Sequence, residues 1–313
     1  MPADPWIVLG AAAIEGAVGY PRALHARLPH PVAWIAALIG GLETGLNRPG
    51  WSDGARRVAG VATLLAAVAA AGGAGWLLER ALCGMPWGAA GIAALGALGL
   101  AARSLFDHVA EVAGPLGLGD MPAARAALGR IVGRDVEGLD AAGVSAAALE
   151  SLAESFCDGV VAPVFWFLAG GLGGLFVYKA VNTADSLIGH REPPYTHFGW
   201  AAARADDAMN LVPARIAGGL ICLASGRGWR IMRRDAPRHA SPNAGWPEAA
   251  MAGALRVRLG GPASYDGAVH QRPVLGEGPR PGPLDLTRGL GRYLGACALA
   301  GALLAAGGLA WPR

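Results

Sequence analysis

The stretch that decides the fold runs from Glu150 to Arg191: ESLAESFCDGVVAPVFWFLAGGLGGLFVYKAVNTADSLIGHR. Its centre, Gly159–Tyr178, holds 20 residues without a charge. About 20 such residues carry a helix across the ~30 Å hydrocarbon core of a bilayer. Three further windows match it: Val58–Leu78 and Leu82–Ala102 with 21 residues each, and Tyr293–Pro312 with 20. Only 16% of the 313 residues are charged and 53% are hydrophobic, against about 25% charged in an average soluble domain. Mean hydropathy is +0.38. The fold class is therefore all-α, a polytopic integral membrane protein with about four to six membrane-embedded helices. One domain spans 1–313, with cytoplasmic helical insertions at about 103–157 and 227–291. The Ala- and Gly-rich spans suit close helix–helix approach in lipid.

The flanks of the central run carry the polar chemistry. Before it, Glu150, Glu154 and Asp158 stand at i, i+4 and i+8, one helix face on which like charges repel unless a cation lies between them. After it, Lys179, Asn182 and Asp185 continue a polar face. A Gly- and Pro-bounded loop, GHREPPY (189–195), presents His190 and Arg191. A helix starting near Trp200 places Arg204, Asp207 and Asn210 on one face and Asp206 one step round, with Arg215 beyond. Acids abutting an apolar span read as functional, the bland alternative being a solvated face capped by charges. Carboxylates with amides suit Mg²⁺, which often bridges to substrate phosphates, and guanidinium forks match phosphate or carboxylate. Lys179, the single lysine, is followed by Ala180, which excludes a P-loop. Neither a Ser-His-Asp elbow nor a Cys-His pair is evident. Cys83, Cys157, Cys222 and Cys297 show no CxxC spacing and read as small buried hydrophobes.

Elsewhere, a short apolar stretch, Trp6–Ile14, lacks the basic region of a cleavable signal and reads as a half-buried or membrane-skimming helix. Arg22, His25, Arg27 and His30 are equally anion holders or interfacial groups. Val32–Leu46 reads as an amphipathic helix, with Trp34, Leu38, Leu42 and Leu46 at multiples of four. A turn is expected near Glu79–Arg80, and a helix from about Ser145. Arg56 and Arg57 put residues 1–57 in the cytoplasm, and Arg227–Arg292, with eleven arginines against five acids, belongs there too. Ile216–Gly226, 11 uncharged residues, is too short to return the chain. Pro163 and the glycines at 170, 171, 173 and 174 therefore favour a broken, re-entrant Gly159–Tyr178. Arg234–Gly261 reads as a polar cytoplasmic loop in which Ser241, Asn243 and Glu248 stand around Pro and Gly turns before a short small-residue helix, its Trp246 an interfacial anchor or a platform for a planar ligand.

The chain resembles the adenosylcobinamide-phosphate synthase family of cobalamin biosynthesis (CobD/CbiB). The resemblance rests, in order, on PRALHARLPHPVAWI, VGRDVEGLD, ALESLAESFCDGVVAPVFW, YKAVNTADSLIGHREPPYTHFGWAAARADDAMNLVPAR and RDAPRHASPNAGWPEAAMAGALRVRLGG. It implies a multi-pass protein of the inner membrane with its active face cytoplasmic. The implied reaction joins (R)-1-aminopropan-2-yl phosphate, an aminopropanol phosphate, to the f-propionate carboxylate of adenosylcobyric acid, driven by ATP and Mg²⁺. The implied partners are those two substrates, the lipid bilayer and other cobalamin-pathway enzymes, with no nucleic acid. On this reading Glu154, Asp158, Asp185 and Lys179 serve catalysis. His190, Arg191, Arg204, Asn182, Asn210 and Arg215 hold substrate, and Asp206 and Asp207 hold the metal. The sequence departs from the family where Glu-Asn-Thr/Ser-x-Asp-Gly is usual and Glu154-Ser155-Phe156-Cys157-Asp158-Gly159 stands, and where Tyr20 replaces an acid. A small transporter or a non-catalytic anchor of the pathway are the rival readings.

Overall fold

The computed structural model describes residues 3–20, 29–190 and 192–311. Arg22, His25, Arg27 and Arg191 lie outside them. Of the described residues 74% are helical, and among them five helical stretches are long and apolar enough to cross a membrane: Asp53–Leu82, Gly88–Gly117, Ala141–Ile188, Trp200–Ser225 and Pro283–Ala310. This is the all-α polytopic architecture expected. The chain forms two compact units, one of Met1–Ala101, Ala162–Asn210 and Leu304–Arg313, the other of Ala102–Val161 and Leu211–Leu303.

In the first unit, α1 (Pro5–Val18) starts at Asp4, whose carboxylate accepts from the Trp6 N–H, with Pro5 at the first helical position. Helix α2 (Pro31–Leu46) is capped by the His30 ring. The helix expected over Val32–Leu46 is present: Ile39 is buried and Leu46 packs on the same core cluster, while Trp34 and Leu38 are exposed. An apolar side chain that can contact lipid need not turn inward. Helix α3 (Asp53–Leu82), capped by Ser52, runs through Glu79 and Arg80. The expected turn comes later, after Leu82, because a charged pair does not break a helix. Helix α4 is Gly88–Ala97. Helix α8 (Ala162–Ile188) packs along α3 as the most extensive helix pair. Gly75 makes that approach possible, since a Cβ there would meet the Leu172 carbonyl.

Helix α8 is broken at Gly170 and Gly171, the latter at φ 62°, ψ −156°. A break inside an apolar span leaves a backbone donor that lipid cannot satisfy. Glu79 supplies the acceptor, its Oε2 taking the Leu172 N–H at 2.9 Å. The glycine-based break expected from sequence is present, and Glu79 is its counterpart. Val58, Leu65, Trp76 and Leu77 of α3 are more than half exposed, as side chains meeting lipid are.

In the second unit, α5 (Ala102–Gly117) and α6 (Met121–Leu128) lead to α7 (Ala141–Phe156). Helix α7 begins four residues before Ser145 because Asp140 caps it, accepting from the Gly143 N–H at 2.7 Å. A π turn, Cys157–Val161, follows. The turn VGRDVEGLD anchors later chain: Asp135 accepts from Ser264 and Gly267, and Asp140 takes both arms of Arg280 at 2.8 Å each. Arg234–Gly261 is more regular than a loop, and the short small-residue helix expected within it is present. The segment comprises the end of α11 (Trp229–Asp235), a 3₁₀ turn (Ala236–Arg238), α12 (Gly245–Leu255) and a first strand. Burial of every α12 residue except Trp246 and Leu255 holds the helix despite its glycines. Two small antiparallel pairs follow, β1 (Arg258–Gly260) with β4 (Val274–Gly276), and β2 (Ala263–Tyr265) with β3 (Ala268–His270). Phe156, buried edge-on against Tyr293 with ring centroids 5.5 Å apart, shows its departure from the family pattern to be a packing residue. Helices α9 (Tyr195–Phe198), α10 (Trp200–Ser225) and α13 (Pro283–Ala310) complete the chain. The run Ile216–Gly226 lies largely within the 26-residue α10. Its shortness is no obstacle to crossing, because the helix it belongs to is long and apolar enough as a whole.

Candidate functional site

Two polar clusters emerge, one in each unit. The first is built on α8 and α10. Asp206 Oδ1 accepts from the Asn182 amide at 3.3 Å, and Oδ2 from the Asn210 amide at 3.0 Å. Asn210 is buried and its Oδ1 accepts from the Tyr178 hydroxyl at 3.1 Å. Asp207 pairs with Arg204 at 3.1 Å, two members of the face on which the sequence set Arg204, Asp207 and Asn210. Asn210 reaches Asp206, one step round, at i, i+4 spacing, with its amide oxygen held by the Tyr178 hydroxyl. Lys179 and Asp207 both act electrostatically on Asp206, with opposite sign. Asp185 sits at the end of α8, where Gly189 leaves room for its carboxylate. His190 is exposed, its ring tilted against Tyr195 with centroids 5.8 Å apart.

The second cluster lines a cavity of about 440 Å³ between α7, the 3₁₀ turn, α12 and the β3–β4 connection. Glu150, 2% exposed, receives Arg134 and, at 3.1 Å, Arg272 on Oε2, and the Gly260 N–H at 2.7 Å on Oε1. Those two arginines are the cations that the stacked carboxylates of α7 required. Glu154 lines the same cavity, while Asp158 stands on the π turn, so the i, i+8 spacing does not continue as one straight stripe. Glu248, read from sequence as a loop residue, is in the first turn of α12 and 2% exposed. Arg272 Nη2 is 3.7 Å from its Oε2 and His239 Nε2 is 3.8 Å from its Oε1. Burial, then the charges of Glu150 and Glu154, push its carboxyl well above the usual range. His239 accepts the Ser241 N–H on Nδ1 at 3.0 Å, which leaves the proton of the neutral ring on Nε2, facing Glu248. Burial, then the Arg272 charge, hold that ring neutral by lowering its pKa.

Arg215 belongs to the second unit and stacks 4.6 Å over the Trp246 ring while bonding the Leu211 carbonyl at 2.6 Å. Trp246 is thereby engaged by a cation within the protein. Sequence reasoning missed Arg134, Arg272 and His239 as cavity residues. VGRDVEGLD and RDAPRHASPNAGWPEAAMAGAL contained two of them, but nothing local to Arg272 marked it.

The fold and its two clusters define a polytopic helical membrane protein that carries one amide-buttressed acid cluster and one buried carboxyl–guanidinium cavity. A CobD/CbiB family model matches residues 8–292, and the chain belongs to that family. It is 50% identical over 293 residues to cobalamin biosynthesis protein CobD of Rhodobacter capsulatus, covering 90% of each chain. It is 45% identical over 309 residues to that of a Sinorhizobium species, covering 94% of this chain and 95% of the relative. It is also 45% identical over 291 residues to that of Geobacter metallireducens, covering 90% and 88%. No solved structure matches the chain. Membership supports a role in cobalamin biosynthesis.

Proposed function

We propose that this chain is a ligase of the inner membrane, its active face cytoplasmic, that joins (R)-1-aminopropan-2-yl phosphate to the f-propionate carboxylate of adenosylcobyric acid with ATP and Mg²⁺. The observation that supports the reading best is the Asp206 cluster. A carboxylate is a poor acylating agent. ATP must first transfer a phosphoryl group to the propionate oxygen, after which the amine displaces phosphate and loses a proton. That sequence needs carboxylates beside cations that grip phosphate. Asp206 and Asp207 provide the former, Lys179 and Arg204 the latter.

Among the described residues no group of three or more His, Cys, Asp or Glu could hold a metal ion. The donors present nonetheless fit Mg²⁺ shared with a nucleotide, which takes one or two carboxylates, keeps several waters and completes its shell with phosphate oxygens. Asp206 and Asp207 would hold it, and each Asp206 oxygen retains a lone pair beyond its amide bond. Bound there, Mg²⁺ would neutralise phosphate charge. Asn182 and Asn210 fix the Asp206 carboxylate, Lys179 and Arg204 receive phosphate oxygens, and Asp185 and His190 border the same helix ends.

Purified protein in detergent, given both substrates, ATP and Mg²⁺, is expected to form adenosylcobinamide phosphate with one ADP released per amide, followed by mass spectrometry. Absence of product from folded protein would reject the reading in favour of a non-catalytic role.

A further inference from the structure

The part of α10 that belongs to the second unit leaves an apolar stripe exposed. Val212, Ile216 and Leu223 are 52%, 39% and 57% exposed. With Gly219 they recur at steps of four, three and four, one side of a helix. Trp229 folds back over this stripe from beyond the helix end, its Cη2 standing 3.7 Å from where a Cβ on Gly219 would be. Val212 to Leu223 covers about 16 Å along the axis, roughly the depth of one leaflet of the hydrocarbon core. At the Trp229 end stand Arg227, Arg230, Arg233, Arg234 and Arg238, all exposed. Arg230 and Arg234 reach Glu277, and Arg234 and Arg238 reach Asp235. Arg227 and Arg233 enter no ion pair among the described residues. Five arginines therefore meet two acids, and a surplus of three positive charges remains where a candidate span ends.

We propose that this surface binds an anionic phospholipid, one acyl chain lying along the Val212–Leu223 stripe against Trp229 and the headgroup phosphate held by Arg227 and Arg233. Each part of the lipid meets its own chemistry. The chain packs on apolar side chains that water would otherwise cover. A tryptophan at headgroup depth offers an apolar body and one polar N–H. Guanidinium forks match phosphate oxygens, and clusters of about four to eight basic residues directly after a membrane helix attract anionic lipid. An acidic protein or a nucleic acid would use the arginines but leave the stripe without a partner. A zwitterionic lipid would fill the stripe but brings a cation of its own to a surface already in positive surplus. The site lies wholly within the second unit and is independent of the amide-forming reading.

The test is native mass spectrometry of the full chain, delipidated in detergent and titrated with phosphatidylglycerol or phosphatidylcholine of the same acyl chains. Wild type is expected to bind phosphatidylglycerol the more tightly. Arg227→Gln with Arg233→Gln is expected to weaken that lipid roughly ten- to thirty-fold, at about five-fold per arginine, and to leave phosphatidylcholine unchanged. Arg227→Lys with Arg233→Lys should keep most of the preference, which separates lost charge from lost fold. Arg103→Gln with Arg130→Gln removes the same net charge from two other exposed positions and is expected to behave as wild type. Glycerol 3-phosphate, which carries the phosphate without the chains, is expected not to displace the lipid at millimolar concentration. Equal binding of the two lipids by wild type, an undiminished preference in the Arg227/Arg233 glutamine pair, or an equal loss in the Arg103/Arg130 pair would overturn the site. Displacement by glycerol 3-phosphate would make it a site for soluble anions and overturn the lipid assignment.

Discussion

Glu150 and Glu248 share one cavity but not one environment. Glu150 has two guanidiniums and a backbone N–H, whereas Glu248 Oε2 accepts no hydrogen bond. Removing one cation from a buried pair leaves charge uncompensated, at ~3–5 kcal/mol. Arg134→Ala is accordingly expected to lower unfolding stability by about 3 kcal/mol, read by denaturant titration in detergent. Asp235 offers a pH test. Arg234 at 2.7 Å, opposed by burial and aided by the Gly276 N–H and Arg238, holds its carboxyl below the usual value. A depressed carboxylate stabilises the fold above its unfolded pKa of about 3.9. That contribution disappears as pH falls through the lower folded value. Asp235→Asn is expected to melt below wild type at pH 7, with the gap closing below about pH 4. At the other cluster, Arg204→Ala is expected to weaken one phosphate-bearing substrate roughly ten- to hundred-fold. Lysine should restore only part, for want of the planar fork. Steady-state kinetics with ATP and aminopropanol phosphate varied separately would identify which. Unchanged constants for both would remove Arg204 from the site.

Between residues and the whole, the decisive element is the broken helix α8. Gly171 has a positive φ that L side chains avoid, and a Cβ there would strike the Glu79 carboxylate. Gly171→Ala is expected to destabilise by well over ~1 kcal/mol. Glu79→Gln keeps an acceptor for the Leu172 N–H and should be nearly silent. Glu79→Leu orphans it, at ~1–3 kcal/mol. Chemical denaturation in detergent distinguishes the three. Equal stability of the Gln and Leu variants would show that the Leu172 bond does not hold the break. The π turn at Cys157–Val161 is a second irregularity, placed where Asp158 leaves the face of Glu150 and Glu154.

For the whole molecule, topology follows from which segments cross the bilayer. Five stretches are able to. The cytoplasmic face proposed for the polar clusters rests on the arginine-rich segments. In a background with the exposed Cys83 replaced, a cysteine at Tyr195 or Arg233 is expected to resist membrane-impermeant thiol reagents in intact cells and to react after permeabilisation. Labelling of Tyr195→Cys from outside would show that Gly159–Tyr178 passes fully through.

Length and charge along the chain were enough to establish a helical membrane protein, because a bilayer filters segments by properties local to each one. The same locality made the Gly170–Gly171 break, the Asp–Asn text of α10 and the need for cations beside Glu150 readable. Tertiary structure alone decided which cations answered: Arg134 is 16 residues from Glu150 and Arg272 is 122. It alone turned Glu248 from a loop residue into a buried carboxyl, since burial depends on what packs over α12. It alone matched Glu79 to a helix break 93 positions away. Hydrogen bonds and desolvation act over a few ångströms of space, and no periodicity along the chain encodes which distant residues the fold will bring within that range.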